Sequence, residues 1–333
     1  MQHTQQINSG SCLMPHDMAT FRKGRIGRMA QHIDPTIQRR RLRVRLRQLR
    51  DRKGMTQKDT GQALEWGTAK IIRIEAGQVG ISDTDLRALL ELYGVLEADQ
   101  VAGYVEMARR SRKQHWHIYR DVMNQDFLIY LGFESSASAL RQSASLILPG
   151  LLQTEEYARA VIHAFSPPDA APHHIDRKLE IRTQRQEILD RATPPSLSIL
   201  LDEAVIRRAV GTGDDSTKIM KRQLAHLNDI GGRPNVHLRV IRFSQGAHMG
   251  LMKPFTILTF PDEDDDDLLF LQNGPNSLST RDDVNTIALY ARQFLDLEKI
   301  ALSEPATARL IDEVRVQMQD GPRPRQSRTV SEL

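Results

Sequence analysis

Between residues 38 and 94 the apolar positions recur at helical spacing. Leu42, Leu46 and Leu49 follow one another at intervals of four and three, which places them on one face of a helix after Pro35. Gly54 ends that helix. Thr56, with Asp59 three residues on, caps a second helix in which Ala63 and Leu64 are expected to turn inward. A tight connection, Glu65-Trp66-Gly67, leads into Thr68 to Gly77, where Ile71 and Ile74 form the inward pair. Thr68, Ala69, Lys70, Ile72 and Arg73 are left for the opposite side. Ser82 caps a fourth helix, with Asp85 expected to complete a capping box, Leu86, Leu89, Leu90 and Tyr93 on the inner face, and Gly94 closing it. A fifth, from Ala98 to Lys113, turns Val101, Tyr104, Val105 and Ala108 inward.

Beyond Tyr119 the pattern changes to a mixture of periods. Leu197 to Leu201, Val236 to Ile241, Phe255 to Phe260 and Leu268 to Leu271 alternate or run apolar, as strands do. Between them the spacing predicts helices over Glu134 to Arg141, Leu151 to Ala164, Asp176 to Asp190, Glu203 to Val210 and Ile219 to Asp229. A long last helix, Asp283 to Leu302, carries Ile287, Tyr290, Ala291, Phe294 and Leu297 on one face. That face is expected either to pack into its own core or to join two copies. The fold class expected is therefore an all-α, five-helix N-terminal domain at 35–113 followed by an α+β domain at 114–318. Residues 1–34 show no period and read as a disordered basic arm, and 319–333 as a disordered tail.

Charge sharpens this division. Residues 1–120 hold 22 Lys and Arg against 12 Asp and Glu, while the remainder holds 24 against 30. A basic head on an acidic body suits nucleic-acid binding. Nine of those basic residues lie between Arg39 and Lys53 with one acid, Asp51, among them. With the leucines inward, the arginines are expected to project outward. Two short helices joined by a few residues, one crossing the backbone and the next entering the major groove, describe the helix-turn-helix. Apolar content of 40% and charged content of 26% fit an ordinary globular chain, and no apolar run is long enough to span a membrane. The single cysteine, Cys12, leaves no disulfide framework, and a cytoplasmic protein is expected.

Residues 39–94 resemble the Cro/repressor-type (Xre family) DNA-binding domain. The likeness rests on Gly-Met-Thr-Gln at 54–57, Arg-Ile-Glu-Ala-Gly at 73–77 and the spacing between them. With PGLLQTEEYARAV at 149–161, LDEAVIRRAVG at 201–211 and GAHMGLMKPFTILTF at 246–260, the chain is similar to actinobacterial regulators of that family with a long uncharacterised C-terminal domain, described as antitoxin-like. The resemblance implies base-edge contacts from Thr68, Ala69 and Arg73 and a polar contact from Gln57. Chemistry agrees at Arg73, whose guanidinium can bond O6 and N7 of guanine together. Lys70 is expected on phosphate, and Arg47, Arg50 and Thr56 complete the DNA-facing set. The family pattern also pairs Glu75 with Arg50. Gly61 and Thr60 depart from the pattern, which has a small Ala and an apolar neighbour there, and Ile72 stands where a polar residue is common.

Catalytic constellations are sparse. His115 with His117, and His173 with His174, lack zinc-site companions. GTGDD at 211–215 lacks the Gly-Lys-Ser/Thr of a phosphate loop, and Asp262 to Asp267 reads as a solvated hairpin tip. SQGAHMG at 244–250 reads as a packed loop holding His248. The expectation is a sequence-specific transcriptional regulator and not an enzyme, with no cofactor. Its partners would be double-stranded DNA, a second copy of the chain, and a small protein encoded nearby. Two other readings stand beside it: a DNA-targeted enzyme acting on a nucleotide or small metabolite, and a protein-interaction adaptor with autoregulatory DNA binding.

Overall fold

The computed structural model describes residues 34–318 apart from 78, 113, 114, 263, 264, 275, 276 and 282. The expected arm, except Asp34, the tail and Cys12 lie outside the described residues. Five helices come first: α1 (Pro35–Arg52), α2 (Gln57–Ala63), α3 (Thr68–Glu75), α4 (Asp83–Leu92) and α5 (Ala98–Arg110). Leu42, Leu46, Ile71, Ile74, Leu86 and Leu89 are the centre of their shared core, with Val105 and Ala108 closing it from α5. Ala63 is exposed, contrary to expectation, and the buried residues of α2 are Thr60 and Gly61.

The second region has α6 (Gln125–Glu134), β1 (Ala139–Ala144), α7 (Glu155–Ala164), α8 (Pro172–Gln186), β2 (Ser196–Asp202), α9 (Glu203–Arg207) and α10 (Gly213–Gly231). Then come β3 (Val236–Ile241), β4 (Phe255–Thr259), β5 (Leu268–Gly274), β6 (Ser277–Arg281), α11 (Val284–Ile300) and α12 (Glu304–Gln317). The six strands form one mixed sheet in the order β3-β2-β1-β4-β5-β6. β1, β2 and β3 run parallel, while β4 pairs antiparallel with β1, β5 with β4, and β6 with β5.

Strand periodicity sorts the sheet's two faces. Leu197, Ile199 and Leu201 of β2, Leu258 of β4, and Leu268 and Phe270 of β5 join the core formed with α6, α10 and α12. Their neighbours Leu200, Ile257, Leu269 and Leu271 face the other way, onto α11. Ile287, Phe294 and Leu297 of α11 are buried there, and Tyr290 meets the Phe255 ring at 5.0 Å between centroids. The apolar face of α11 is thus spent on its own sheet and does not offer the surface for a second copy that was entertained above.

Three further expectations are corrected. The helix predicted over Glu134 to Arg141 is the end of α6 and the start of β1, because Leu140 must alternate with its neighbours against β2 and β4. α12 follows α11 after a short break, with Ser303 capping it through the Ala306 amide. The sequence reading passed over it, although Thr307, Leu310, Ile311 and Val314 recur at the spacing of one helix face.

The third correction concerns α1. Its arginines do not simply project outward. Arg41 forks Asp265 with bonds of 2.6 to 3.0 Å and reaches Asp262 at 2.9 Å. Arg40 is buried, donates to the Asp266 carbonyl at 2.6 Å and lies over the Phe260 ring. The acidic turn expected to be a solvated tip is therefore a clamp on α1, and Asp265 has a side chain only 4% exposed. The first turn of α1 packs likewise on the second region. Ile37 belongs to the core formed with α6, and Asp34 accepts from the Ser135 hydroxyl at 3.2 Å. A Cβ on Gly132 would sit 2.0 Å from the Thr36 hydroxyl oxygen, so only glycine lets α6 lie this close to α1.

Candidate nucleic-acid interface

α2 begins as its sequence predicts. The Thr56 hydroxyl accepts from the Asp59 amide at 3.1 Å and donates to the Asp59 carboxylate at 2.7 Å, while the Thr56 amide donates to that carboxylate at 2.9 Å. These bonds, the hydroxyl first and the amide second, hold the Asp59 carboxyl below the usual carboxylate range. The turn into α3 runs through Glu65 at φ +56°, a left-handed conformation that a non-glycine residue adopts at a cost of about 1 kcal/mol. The Trp66 amide closes it on the Gly61 carbonyl at 2.8 Å.

Gly61 is what this turn requires. A Cβ there would lie 2.9 Å from the Trp66 carbonyl oxygen and 3.4 Å from Thr68 Cα, both backbone atoms that cannot swing aside. Gly61→Ala should therefore destabilise the chain by about 1–3 kcal/mol, although helix propensity alone would favour alanine by about 1 kcal/mol. A urea-unfolding midpoint that rises in this variant would contradict the close approach.

α3 is positioned from behind by α1 and α2. Glu75, 2% exposed, accepts from Arg50 through both carboxylate oxygens at 2.7 and 3.1 Å, and from the Gln57 side-chain amide at 2.9 Å. Arg43 donates to the Ala76 carbonyl at 2.9 Å and Arg47 to the Glu75 carbonyl at 3.4 Å. These cations meet the C-terminal carbonyls of α3, where the helix dipole favours positive charge. Gly77, at φ +71°, ends the helix.

The side chains named from the sequence thus divide in two. Ala69, Ile72 and Arg73 are exposed on α3, with Thr68 half-buried beside them. Among the described residues Arg73 makes one hydrogen bond, Nε to the Ala69 carbonyl at 3.3 Å. Lys70 is held instead by Asp85 of α4 at 3.0 Å and by the Trp66 ring, 3.6 Å from its ammonium to the centroid. Asp85 therefore does not complete a capping box with Ser82, which only accepts the Asp85 amide. Gln57, Thr56, Arg47 and Arg50 each have a partner within the fold. Arg43 escaped the sequence reading. Its signal was its position one helical turn before Arg47, in line with Arg50.

In the second region, His248 comes to the end of β2, where its Nε2 lies 3.3 Å from Asp202 Oδ2. The other Asp202 oxygen caps α9 through the Ala204 amide at 2.8 Å. Among the described residues no group of three or more His, Cys, Asp or Glu is placed to hold a metal. No helix among them is long and apolar enough to cross a membrane.

Residues 41–102 match the family model described as a helix-turn-helix domain, which covers α2, α3 and α4. Residues 128–313 match that of a domain of unknown function, DUF5753, which includes the whole sheet. No curated protein matches the chain, and no solved structure does.

Proposed function

Because the chain belongs to the DUF5753 family and carries a helix-turn-helix domain ahead of that region, we propose that it is a sequence-specific transcriptional regulator of Cro/repressor type. The observation that carries this is α3, held from behind by Arg50, Gln57, Arg43 and Arg47 while Ala69, Ile72 and Arg73 face outward. A helix so presented suits the major groove, with base edges met near its N-terminus. In this reading Arg73 reads guanine and Thr68 and Ala69 meet neighbouring bases. Lys70, Arg47, Arg50, Gln57 and Thr56 serve phosphate contacts or hold the frame.

One such helix covers few base pairs, so the active species is proposed to be a homodimer on paired half-sites. The division near residue 113 would separate a DNA-binding head from a domain that dimerises, senses a ligand or binds a partner. The antitoxin-like resemblance points to a small protein encoded beside this one as that partner, in the cytoplasm, with no catalytic step.

The test uses the full chain. Operator affinity should fall steeply with salt, as released counterions require. Arg73→Ala should cost about 1–3 kcal/mol on the selected operator and flatten preference at one base pair. A sequence preference unchanged by Arg73→Ala would exclude this register of α3.

A further inference from the structure

The second region contains a cavity of about 470 Å³ between the sheet and helices α6, α7 and α8. Gln142, Thr256, Phe270 and Gln272 form its floor on the sheet, and Phe127, Ile162, Ile181 and Arg182 contribute to its helical walls. Four cationic side chains line it, Lys178, Arg182, Arg185 and Lys253, and no Asp or Glu among the described residues does. Its remaining wall is mostly apolar. Three large apolar side chains that also line it, Leu146, Phe165 and Met252, are 57%, 51% and 77% exposed. Side chains of this kind exposed together at a cavity mouth mark an entrance for an apolar ligand.

The two arginines of α8 that line the cavity are not equivalent. Arg185 is neutralised by Glu134, which it meets at 2.6 Å through Nη2. Arg182 has no acidic partner among the described residues, and its one hydrogen bond is to the Gln153 side-chain oxygen. Burial first, and the charge of Arg185 second, push its guanidinium down to about 10. The Glu134 charge opposes this shift, but its carboxylate is bonded to Arg185 and not to Arg182, and a half-buried cation with no carboxylate bonded to it is costly unless an anion arrives to meet it. The backbone is shaped for this arrangement. A Cβ at Gly150 would stand 2.7 Å from Arg185 Nη1 and 3.1 Å from Arg182 Cδ, so glycine leaves the arginines their room.

We propose that this cavity binds an amphipathic organic anion, its carboxylate or phosphate monoester on Arg182 and its apolar body toward Phe127, Ile162 and Phe165. A guanidinium presents a fork that either head group accepts in two-point fashion. The proposal deepens the sensing role of the second domain suggested above, and it names the class of ligand sensed.

The experiment is calorimetric titration of the full chain, without DNA, with decanoate, decyl phosphate and decan-1-ol below their aggregation limits. One decanoate or decyl phosphate should bind per chain, at least about tenfold more tightly than the alcohol. The stronger of the two anions identifies the head group. Arg182→Gln should remove that advantage, about tenfold or more, and leave the alcohol unchanged. Should Arg182→Gln not fold, as judged by circular dichroism, Lys178→Gln on the same wall replaces it, with a loss of about threefold for the anions only. Equal binding of alcohol and anions, absence of saturable binding by either anion, or anion affinity indifferent to the substituted cation would overturn the proposal. Because no DNA is present, these outcomes are independent of whether α3 reads an operator. A second titration of operator DNA, with and without the anion, then reports whether the two sites are coupled.

Discussion

Glu134→Gln should lower the unfolding free energy of the chain by about 3–5 kcal/mol, the cost of leaving a buried cation without its counter-charge. Glu134 and Arg185 are 1% and 6% exposed. Arg185 meets both carboxylate oxygens, and the Tyr130 hydroxyl donates to Oε1 at 2.6 Å. Burial, and then the Glu134 charge, raise the Tyr130 phenol well above its ordinary range. Burial alone would depress the Arg185 guanidinium, but the nearby Glu134 and Tyr130 hold it above its usual value. Without the carboxylate, Arg185 would lose the one acid bonded to it among the described residues and stand beside a second cation, Arg182. Urea unfolding followed by circular dichroism measures the loss. Glu134→Leu combined with Arg185→Met should recover most of it, since exchanging a whole buried pair for apolar side chains is often neutral. A single variant within about 1 kcal/mol of the parent would mean that the pair is hydrated.

The helical head was legible because its apolar positions obey one period and its punctuation is strong. Gly54, Gly77 and Gly94 all take positive φ where a helix ends, and Thr56 caps as its spacing with Asp59 predicts. Four strands of the sheet were legible from apolar runs, but β6 was not and neither was β1. Its sequence, ALRQSA, has three polar residues in six and follows the strongly apolar α6 directly. Only pairing with β2 on one side and β4 on the other makes it a strand. This is tertiary context overriding a weak local pattern.

Charge was harder to read than apolarity. A run of arginines and a run of aspartates look alike as solvated surface when taken separately, and Arg41 lies 224 residues from Asp265. Nothing local announces that they meet. Glu134 and Arg185 are 51 residues apart in sequence and equally silent. The arginines at 182 and 185 did share a helix face at a spacing of three. That α8 is polar over most of its length disguised the face as solvent-exposed. The outward residues of α3 were accessible to sequence reasoning because exposure follows directly from the inward pair Ile71 and Ile74. The engagement of Lys70 by Asp85 and Trp66 was not, because it depends on how α4 returns across α3.

Arg50→Ala should cost about 3 kcal/mol of stability and weaken binding to every DNA sequence alike. Glu75 would then remain buried with only the Gln57 amide beside it. Arg50 also donates to the Met55 carbonyl at 2.7 Å, so the same substitution loosens the connection between α1 and α2. The bond to Glu75, opposed by burial, holds the Arg50 guanidinium above its ordinary value. Arg50→Lys should recover only part of the loss, because an ammonium cannot grip both carboxylate oxygens as the guanidinium fork does. Glu75→Gln placed on the Arg50→Ala background should restore stability more fully, since it removes the stranded charge. This pattern separates framing from reading. Arg73→Ala is expected to leave the unfolding midpoint near the parent value and flatten the preference at one base pair, whereas Arg50→Ala lowers the midpoint and leaves the preference intact. Unfolding curves and operator-variant titrations on both proteins measure the two quantities. A shifted base preference in Arg50→Ala, with an unchanged midpoint, would assign Arg50 to the DNA instead of to Glu75.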